Sequence, residues 1–186
     1  MKEIRWHGRG GNGAFTAARL LGLAASVYGN RYAQAFPSFG PERRGAPVLG
    51  FTRIDDSVIT DHSQVADCDC VIVLDETLID VVDVLKGLKP EGMVVINTAK
   101  SEEEFKKTPG FANVKLAVLD GTSIALDVLK SSIVNTVMLG AMVAATGMIG
   151  ISEAEQAVDA FMAASLAEKN KQAIRVAYDK VREQHS

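Results

Sequence analysis

The sequence predicts a single α/β domain over residues 1–186, with a mainly parallel β-sheet and helices on both of its faces. Short apolar runs typical of strands alternate with segments of helical periodicity, as in parallel sheets. The first predicted strand runs directly into a glycine-rich turn, and neither a repeat nor a long linker interrupts the alternation. With 186 residues, 47% of them hydrophobic, the chain is long enough to bury one core.

The predicted elements follow one another along the chain as strand–helix units. Strands are predicted at the short apolar or alternating runs 3–8, 31–36, 48–54, 69–75, 92–98 and 114–120. Helices are predicted where apolar residues recur at helical spacing, at 14–29, 76–88, 122–130, 135–148, 152–162 and 166–183. The turn at Asp55 and Asp56 predicts a β-hairpin insertion around residues 48–60, in which 57–60 form the second arm.

The stretch WHGRGGNGAF contains the spacing G-x-G-x-x-G at Gly8, Gly10 and Gly13. In a strand–turn–helix unit the first glycine permits the tight turn and the second lets a phosphate approach the backbone, while the third lets helix and strand pack closely. The amino-terminus of the following helix offers N–H groups and the positive end of its dipole. The turn therefore predicts an anion site in a Rossmann-like domain. Gly11 adds conformational freedom to the backbone of the turn, and Arg9 adds a positive charge.

The dinucleotide NAD would need a further feature that this sequence lacks. An acidic residue about 20 positions after the glycines normally binds the ribose hydroxyls. The corresponding window, VYGNRYAQAF, contains no acid. Arg31 could instead face the 2′-phosphate of NADP, so an NADP-dependent reductase stays open as an alternative. An interaction or nucleotide-sensing module on the same scaffold is another.

Basic residues are concentrated in the first part of the chain. Residues 1–54 carry eight basic and two acidic side chains, a net charge of +6, so the remainder carries −9 of the total of −3. Seven of the eight are arginines, whose planar guanidinium suits two-point contacts to phosphate or carboxylate. In the loop FGPERRGAPV, Arg43 and Arg44 predict a second anion-binding element that faces the glycine turn; charges of a solvated loop are the alternative.

Several classes of protein are disfavoured by what the chain carries. Cys68 and Cys70 are its only thiols, whereas iron–sulfur clusters normally take four. The three histidines are scattered, so we predict neither a metal site nor a catalytic residue set. The apolar stretch 135–151 is interrupted by glycine and predicts a buried helix rather than a membrane span. With an acidic total charge and no signal peptide or nucleic-acid motif, a cytoplasmic protein without membrane or nucleic-acid partners is expected.

Three segments together resemble the gamma subunit, or catalytic domain III, of 2-oxoacid:ferredoxin oxidoreductases. RWHGRGGNGAFTAARLL is similar to the opening strand and glycine loop of that family, AQAFPSFGPERRGAPVLGFTRID to its second signature and VNTVMLGA to its helical one. The resemblance runs from the N-terminus to about residue 150. Asn12 stands where the family usually has Gln, which keeps an amide at this position. The form PERRGAP is more similar to the pyruvate or 2-oxoisovalerate branch than to the 2-oxoglutarate branch.

The resemblance implies one subunit of a multi-subunit enzyme. That enzyme converts a 2-oxoacid, with pyruvate as the expected one, together with coenzyme A and oxidised ferredoxin into acyl-CoA, carbon dioxide and reduced ferredoxin. Thiamine diphosphate with Mg²⁺ and [4Fe-4S] clusters are implied on partner chains, among the alpha, beta and ferredoxin-like delta subunits. This chain would hold no cofactor by itself and would be inactive alone, with a homodimer open as its isolated form. The related subunit of indolepyruvate oxidoreductase is an alternative with similar chemistry.

The resemblance also implies a role in coenzyme A binding, for which an arginine-rich glycine turn is suited. Backbone N–H groups of residues 10–13 would hold one phosphate, and Arg43 and Arg44 would bind a second phosphate or fix a partner subunit. Asn135 and Thr136 would cap the buried helix close to the same site. The predicted ligand-binding residues are Gly8, Arg9, Gly10, Gly11, Asn12, Gly13, Arg43, Arg44, Asn135 and Thr136.

Overall fold

The computed structural model describes residues 1–38 and 44–184, which form one six-stranded sheet with its helices. The strands are β1 (Lys2–Arg9), β2 (Tyr32–Pro37), β3 (Pro47–Asp55), β4 (Cys68–Val73), β5 (Leu88–Asn97) and β6 (Lys115–Leu119). Their order in the sheet is β2-β3-β1-β4-β5-β6. The pairs β1–β4, β4–β5 and β5–β6 are parallel, and β3 runs antiparallel to both of its neighbours. The predicted α/β class with a mainly parallel sheet is confirmed.

The helices are grouped mainly on one face of the sheet. They are α1 (Ala14–Leu23), α2 (Glu102–Phe105), α3 (Gly121–Ile124), α4 (Asn135–Thr146), α5 (Ile151–Phe161) and α6 (Ala164–Gln184). One π-helical turn, Ala24–Tyr28, continues α1, and another, Ala125–Leu129, continues α3. The main core contains buried side chains of α1, α4, α5 and α6 with Ile4 and Trp6 of β1. No helix in the described part of the chain is long and apolar enough to cross a lipid bilayer.

Shorter elements cover the opposite face. There, Phe105 of α2 and the nearby Phe111 pack with the valines and isoleucine of β4 and β5. The helix predicted over 76–88 is wrong, because only Glu76–Asp80 forms a 3₁₀ turn. The Asp83 side chain accepts from the N–H of Leu85 at 3.1 Å. Such local bonding to the backbone, together with the β-branched residues of this segment, competes with an α-helix.

The β-hairpin is present, but its arms differ from the prediction. β3 pairs with β2, which precedes it, in a register that places Tyr32 opposite Asp55. Residues 57–60 form no strand. The reason is that β1 occupies the other edge of β3, with Lys2 opposite Ile54. Since both edges of β3 are taken, a following strand has no backbone groups left to pair with.

Candidate anion-binding site

The glycine turn connects the end of β1 to the start of α1. The N–H of Asn12 donates to the carbonyl of Arg9 at 3.0 Å and closes the turn. Gly11 has φ +99° and Gly13, the N-cap of α1, has φ +82°, a region that side-chain-bearing residues rarely adopt. Gly8 is needed for space instead, since a Cβ there would lie 2.8 Å from the Cβ of Ala14, which cannot rotate away, and 2.4 Å from Asn12 Oδ1.

The Arg44 loop, residues 44–46, is joined to this turn through the backbone. The N–H of Gly10 donates to the carbonyl of Ala46 at 2.8 Å, and the N–H of Gly45 donates to the carbonyl of Gly10 at 3.1 Å. Gly10 and Arg44 form an isolated parallel bridge, and Arg44 is exposed. The structure thus brings Arg44 beside the glycine turn, while Arg43 lies outside the described residues.

The guanidinium of Arg9 is held by groups from two other segments. Nε donates to Asp75 Oδ2 at 2.8 Å, and Nη2 donates to Thr77 Oγ1 at 2.7 Å. Nη1 donates to the carbonyl of Gly45 at 3.0 Å. Asp75 follows β4 and also accepts from the N–H of Thr77 at 3.0 Å. Arg9 therefore ties the ends of β1 and β4 to the Arg44 loop.

The charge of Asp75 follows from these contacts. Burial acts to raise the pKa of Asp75, but the hydrogen bonds from Thr77 and Arg9 outweigh it and lower the pKa below its ordinary value. The carboxylate is therefore ionised at neutral pH and forms a charge-assisted pair with Arg9.

Two asparagines lie at the place where the amino-termini of α1 and α4 meet. Asn135, the first residue of α4, has its side-chain amide directly against Gly13. Asn12 Oδ1 is buried and has no hydrogen-bond partner among the described residues. Thr136 points elsewhere, because it is fully buried and its hydroxyl donates to Asn170 Oδ1 of α6 at 2.7 Å. Val134 is the N-cap of α4, and Asn135 Oδ1 accepts from the N–H of Thr136 at 2.8 Å, so Asn135 satisfies one of the first N–H groups of the helix whereas Thr136 does not cap it.

Much of the predicted basic surface is not available to a ligand. Arg53 is only 1% exposed and donates to Glu3 Oε1 at 2.9 Å and to the carbonyl of Asp61 at 3.1 Å. Arg5 is also buried and donates to the carbonyls of Val84 and Lys86. These arginines hold strands and loops together. Counting charges along the chain could not show this, because their partners lie far away in sequence.

The position of Arg31 argues against the NADP alternative. Arg31 precedes β2, whose first residue lies level with the start of β1, as the registers with β3 show. The eight residues of β1 separate this edge from the glycine turn by roughly 25 Å. Arg31 also donates to Asp56 Oδ1 at 2.8 Å and to the carbonyl of Met148 at 3.3 Å. It is therefore not placed to contact a 2′-phosphate bound at the turn.

A buried arginine–histidine pair precedes the turn, and no pattern in the sequence predicts it. Arg5 Nε donates to His7 Nε2 at 2.9 Å on the face of β1 opposite to Trp6. Burial and the neighbouring charge of Arg5 lower the pKa of His7 to about 3. His7 is therefore neutral and accepts from Arg5, next to Gly8 where the turn begins.

The cysteines do not fit the donor set of an iron–sulfur cluster. Cys68 and Cys70 are both buried free thiols in β4, and burial raises the pKa of each of them. Thiols of this kind are poor metal ligands because the thiolate is the binding form. Within residues 1–38 and 44–184, no group of three or more His, Cys, Asp and Glu side chains is arranged to hold a metal ion.

Comparison with known proteins assigns the chain to a family. A family model described as pyruvate ferredoxin/flavodoxin oxidoreductase matches residues 3–180. The common gamma subunit of the pyruvate/ketoisovalerate oxidoreductases of Pyrococcus furiosus is 50% identical, covering 97% of each chain. The pyruvate synthase subunit PorC of Methanothermobacter thermautotrophicus is 48% identical over 97% of this chain and 96% of the other.

A solved structure agrees with these matches. The crystal structure of pyruvate oxidoreductase subunit PORC from Thermotoga maritima has a TM-score of 0.84 and 40% identity, with coverage of 96% of this chain and 95% of that one. The same fold thus occurs in a subunit of a pyruvate oxidoreductase. The chain belongs to the pyruvate ferredoxin/flavodoxin oxidoreductase family and corresponds to its gamma subunits along nearly its whole length.

Proposed function

We propose that this gamma subunit supplies a binding surface for the phosphates of coenzyme A in a 2-oxoacid:ferredoxin oxidoreductase complex. One observation carries the proposal, namely the backbone pairing of Gly10 with the Arg44 loop beside the amino-terminus of α1. The pairing brings the backbone of Arg44, an exposed residue, beside the turn that leads into α1, which supports a role for its guanidinium there. A ligand with a diphosphate and a separate 3′-phosphate needs two cationic or N–H-rich positions of this kind.

The hydrogen-bond donors of the proposed site differ in part from those that the sequence predicts. Gly10 and Asn12 already donate their N–H groups to Ala46 and Arg9. The first N–H groups of an α-helix have no acceptor inside the helix, so residues 14–16 of α1 provide the phosphate donors. The positive end of the α1 dipole favours the same anion.

Side chains complete this proposed surface. Asn12 and Asn135 both lie next to Gly13. Asn135 Oδ1 already accepts from the N–H of Thr136 at 2.8 Å and its Nδ2 faces Gly13, so this residue offers donors to a ligand. Asn12 Oδ1 has no partner among the described residues, and rotating its amide by 180° would present donors instead. Arg44 binds a second phosphate or carboxylate-like group, and Arg43 would add to it. Thr136 acts indirectly, since its hydroxyl is bonded to Asn170 and holds α4 in place.

The remaining chemistry belongs, in this proposal, to partner chains. Alpha and beta subunits would carry thiamine diphosphate with Mg²⁺, and a ferredoxin-like delta subunit would carry the [4Fe-4S] clusters that reduce ferredoxin. The buried thiols of Cys68 and Cys70 support this assignment, because they do not suit cluster ligation. The relatives' names favour pyruvate or 2-oxoisovalerate as substrate over indolepyruvate. The cytoplasmic location stays a prediction.

The test is a comparison of two single-charge variants in the reconstituted complex. Arg44→Gln removes a guanidinium at the turn and should raise the KM for coenzyme A by about tenfold, the effect of losing one charge-assisted hydrogen bond. Arg31→Gln removes an arginine that pairs with Asp56 at the far edge of the sheet and should leave this KM unchanged. Isothermal titration of the complex with coenzyme A gives the same comparison at equilibrium.

Two results would contradict the proposal. One is an Arg44→Gln complex that assembles normally and has the wild-type KM for coenzyme A. The other is a variant that fails to assemble while the fraction that does assemble keeps the wild-type KM. In the second case Arg44 is an interface residue.

A further inference from the structure

The guanidinium of Arg9 forms, with Asp75 and Thr77, a hydrogen-bonded cluster within the protein, which we call the clasp. Three nitrogens of one guanidinium donate to a carboxylate, a hydroxyl and a main-chain carbonyl, at 2.8, 2.7 and 3.0 Å. The carbonyl belongs to Gly45, whose N–H in turn donates to Gly10. The Arg44 loop is therefore held on the turn from two sides, by the backbone of Gly10 and by the side chain of Arg9.

We propose that Asp75 is a positioning residue for coenzyme A binding. Through Arg9 it fixes the Gly45 carbonyl and so holds Arg44 at the distance from α1 that the two phosphates require. This inference rests on the proposed function. In this inference the guanidinium of Arg9 positions the Arg44 loop, whereas Arg44 binds the ligand.

The direction in which coenzyme A affinity changes when Asp75 loses its charge distinguishes positioning from a direct electrostatic effect. A carboxylate close to a bound anion opposes that anion by its charge. If Asp75 acted by charge alone, removing its charge would strengthen coenzyme A binding. If Asp75 acts through the clasp, removing its charge weakens binding, because Arg9 loses its charge-assisted partner. The Arg44 loop is then held less firmly by the hydrogen bond from Arg9 to the Gly45 carbonyl.

The experiment uses the reconstituted complex with four variants of this chain. Asp75→Asn should raise the KM for coenzyme A by about tenfold while kcat stays within about twofold of wild type. Arg9→Lys keeps the charge but not the rigid fork, and should raise the KM by a similar factor. Thr77→Val should raise it less, and Thr77→Ser, which keeps the hydroxyl, should restore the wild-type value.

A control and a second measurement separate positioning from general destabilisation. Asp56→Asn removes an aspartate of another arginine pair, at an exposed site far from the turn, and should leave the KM unchanged. Hydrogen exchange reports on the loop itself. In Asp75→Asn the amides of Gly10 and Gly45 should exchange faster than in wild type, whereas amides in the centre of β4 and β5 keep their rates.

The possible outcomes can be told apart. An Asp75→Asn complex whose KM for coenzyme A is unchanged or lower overturns the inference, and so does an Arg9→Lys complex with the wild-type KM. If either result occurs while Arg44→Gln raises the KM, the proposed function stands and only the clasp is overturned. If Arg44→Gln and Asp75→Asn both leave the KM unchanged, both proposals fail, even where exchange at Gly45 is faster. Should Asp75→Asn fail to fold, the Thr77→Val and Thr77→Ser pair decides.

Discussion

The side-chain amide of Asn135 occupies the space that a side chain on Gly13 would need. A Cβ built on Gly13 would lie 2.5 Å from Asn135 Nδ2 and 3.1 Å from its Cγ. Gly13 ends the glycine turn and Asn135 begins α4, so this contact joins the amino-termini of two helices. The glycine is required for two separate reasons, the positive φ of +82° and the close approach of the amide.

Replacement of Gly13 by alanine should therefore destabilise the chain more than replacement of Gly11. Gly11 has φ +99°, but no atom lies within 4 Å of its added Cβ. Gly11→Ala measures the backbone strain alone, about 1 kcal/mol, whereas Gly13→Ala adds a steric clash and should reach about 2–3 kcal/mol. Denaturant unfolding measures both free energies.

The double variant Gly13→Ala/Asn135→Ala checks the origin of the difference. Removing the amide relieves the clash but not the backbone strain, so the second substitution should cost less in the Gly13→Ala background than in wild type. Equal stability of Gly11→Ala and Gly13→Ala would contradict this account.

The sequence predicts those parts of the site that depend on the pattern of neighbouring residues. A glycine turn after a strand predicts the position of a helix amino-terminus, because the flanking periodicities are local properties. That Arg43 and Arg44 face the turn was one of two interpretations of their loop, the other being charges of a solvated loop. Periodicity along one chain does not show which loops pair across space.

The partners of the arginines could not be predicted in this way. Arg53 pairs with Glu3, 50 positions away, and Arg9 pairs with Asp75, 66 positions away. Whether a guanidinium faces solvent or a carboxylate depends on which strands are neighbours. In this sheet the antiparallel strand β3 lies between β2 and β1. This arrangement displaced the predicted hairpin arm and moved Arg31 to the far edge of the sheet.

Acid should destabilise the chain through His7. Its pKa is lowered to about 3, against an ordinary value of 6.5, so between these values the unfolded chain binds a proton that the folded chain does not. Stability is therefore unaffected by His7 above about pH 6.5 and falls as the pH decreases toward 3, by up to about 1.4 kcal/mol per pH unit.

The variant His7→Gln tests this dependence, because glutamine can still accept from Arg5 but cannot take up a proton. Between about pH 7.5 and about pH 4.5 the unfolding free energy should fall by about 3 kcal/mol less in His7→Gln than in wild type. Parallel curves for wild type and His7→Gln would rule out the assignment.

The close packing of α4 on α6 depends on Gly140. A Cβ on this residue would lie 2.4 Å from the carbonyl oxygen of Ile174, a main-chain atom that cannot rotate away. Alanine normally favours a helix over glycine by about 1 kcal/mol, but here the two helices would have to separate. Gly140→Ala should therefore destabilise the chain by about 2 kcal/mol, seen as a lower Tm.

Gly22 is the matched control for this prediction, since it also lies within a buried helix. Its added Cβ would meet only the side chains of Ala35, at 3.3 Å, and Thr52, at 4.0 Å. Gly22→Ala should leave the Tm nearly unchanged. A Gly140→Ala variant as stable as Gly22→Ala would mean that α4 and α6 tolerate a larger separation.

Thr136 should affect stability without affecting the ligand. It is fully buried and its hydroxyl donates to Asn170 Oδ1, so Thr136→Val leaves that acceptor without its donor at nearly constant volume. We expect a loss of about 1 kcal/mol in unfolding free energy and a KM for coenzyme A within about twofold of wild type. Asn135→Ala, one residue earlier and against the turn, should instead raise this KM.

A double-variant cycle locates the Thr136 effect. If the hydroxyl acts only through Asn170, the destabilisation by Thr136→Val should largely disappear in an Asn170→Ala background, since the partner is already gone. The opposite result, an unchanged stability with a raised KM for coenzyme A, would place the Thr136 hydroxyl in contact with the ligand. In that case α4 would contribute both of its first two side chains to the site, and its amino-terminus would have to rotate toward Gly13 when the ligand binds.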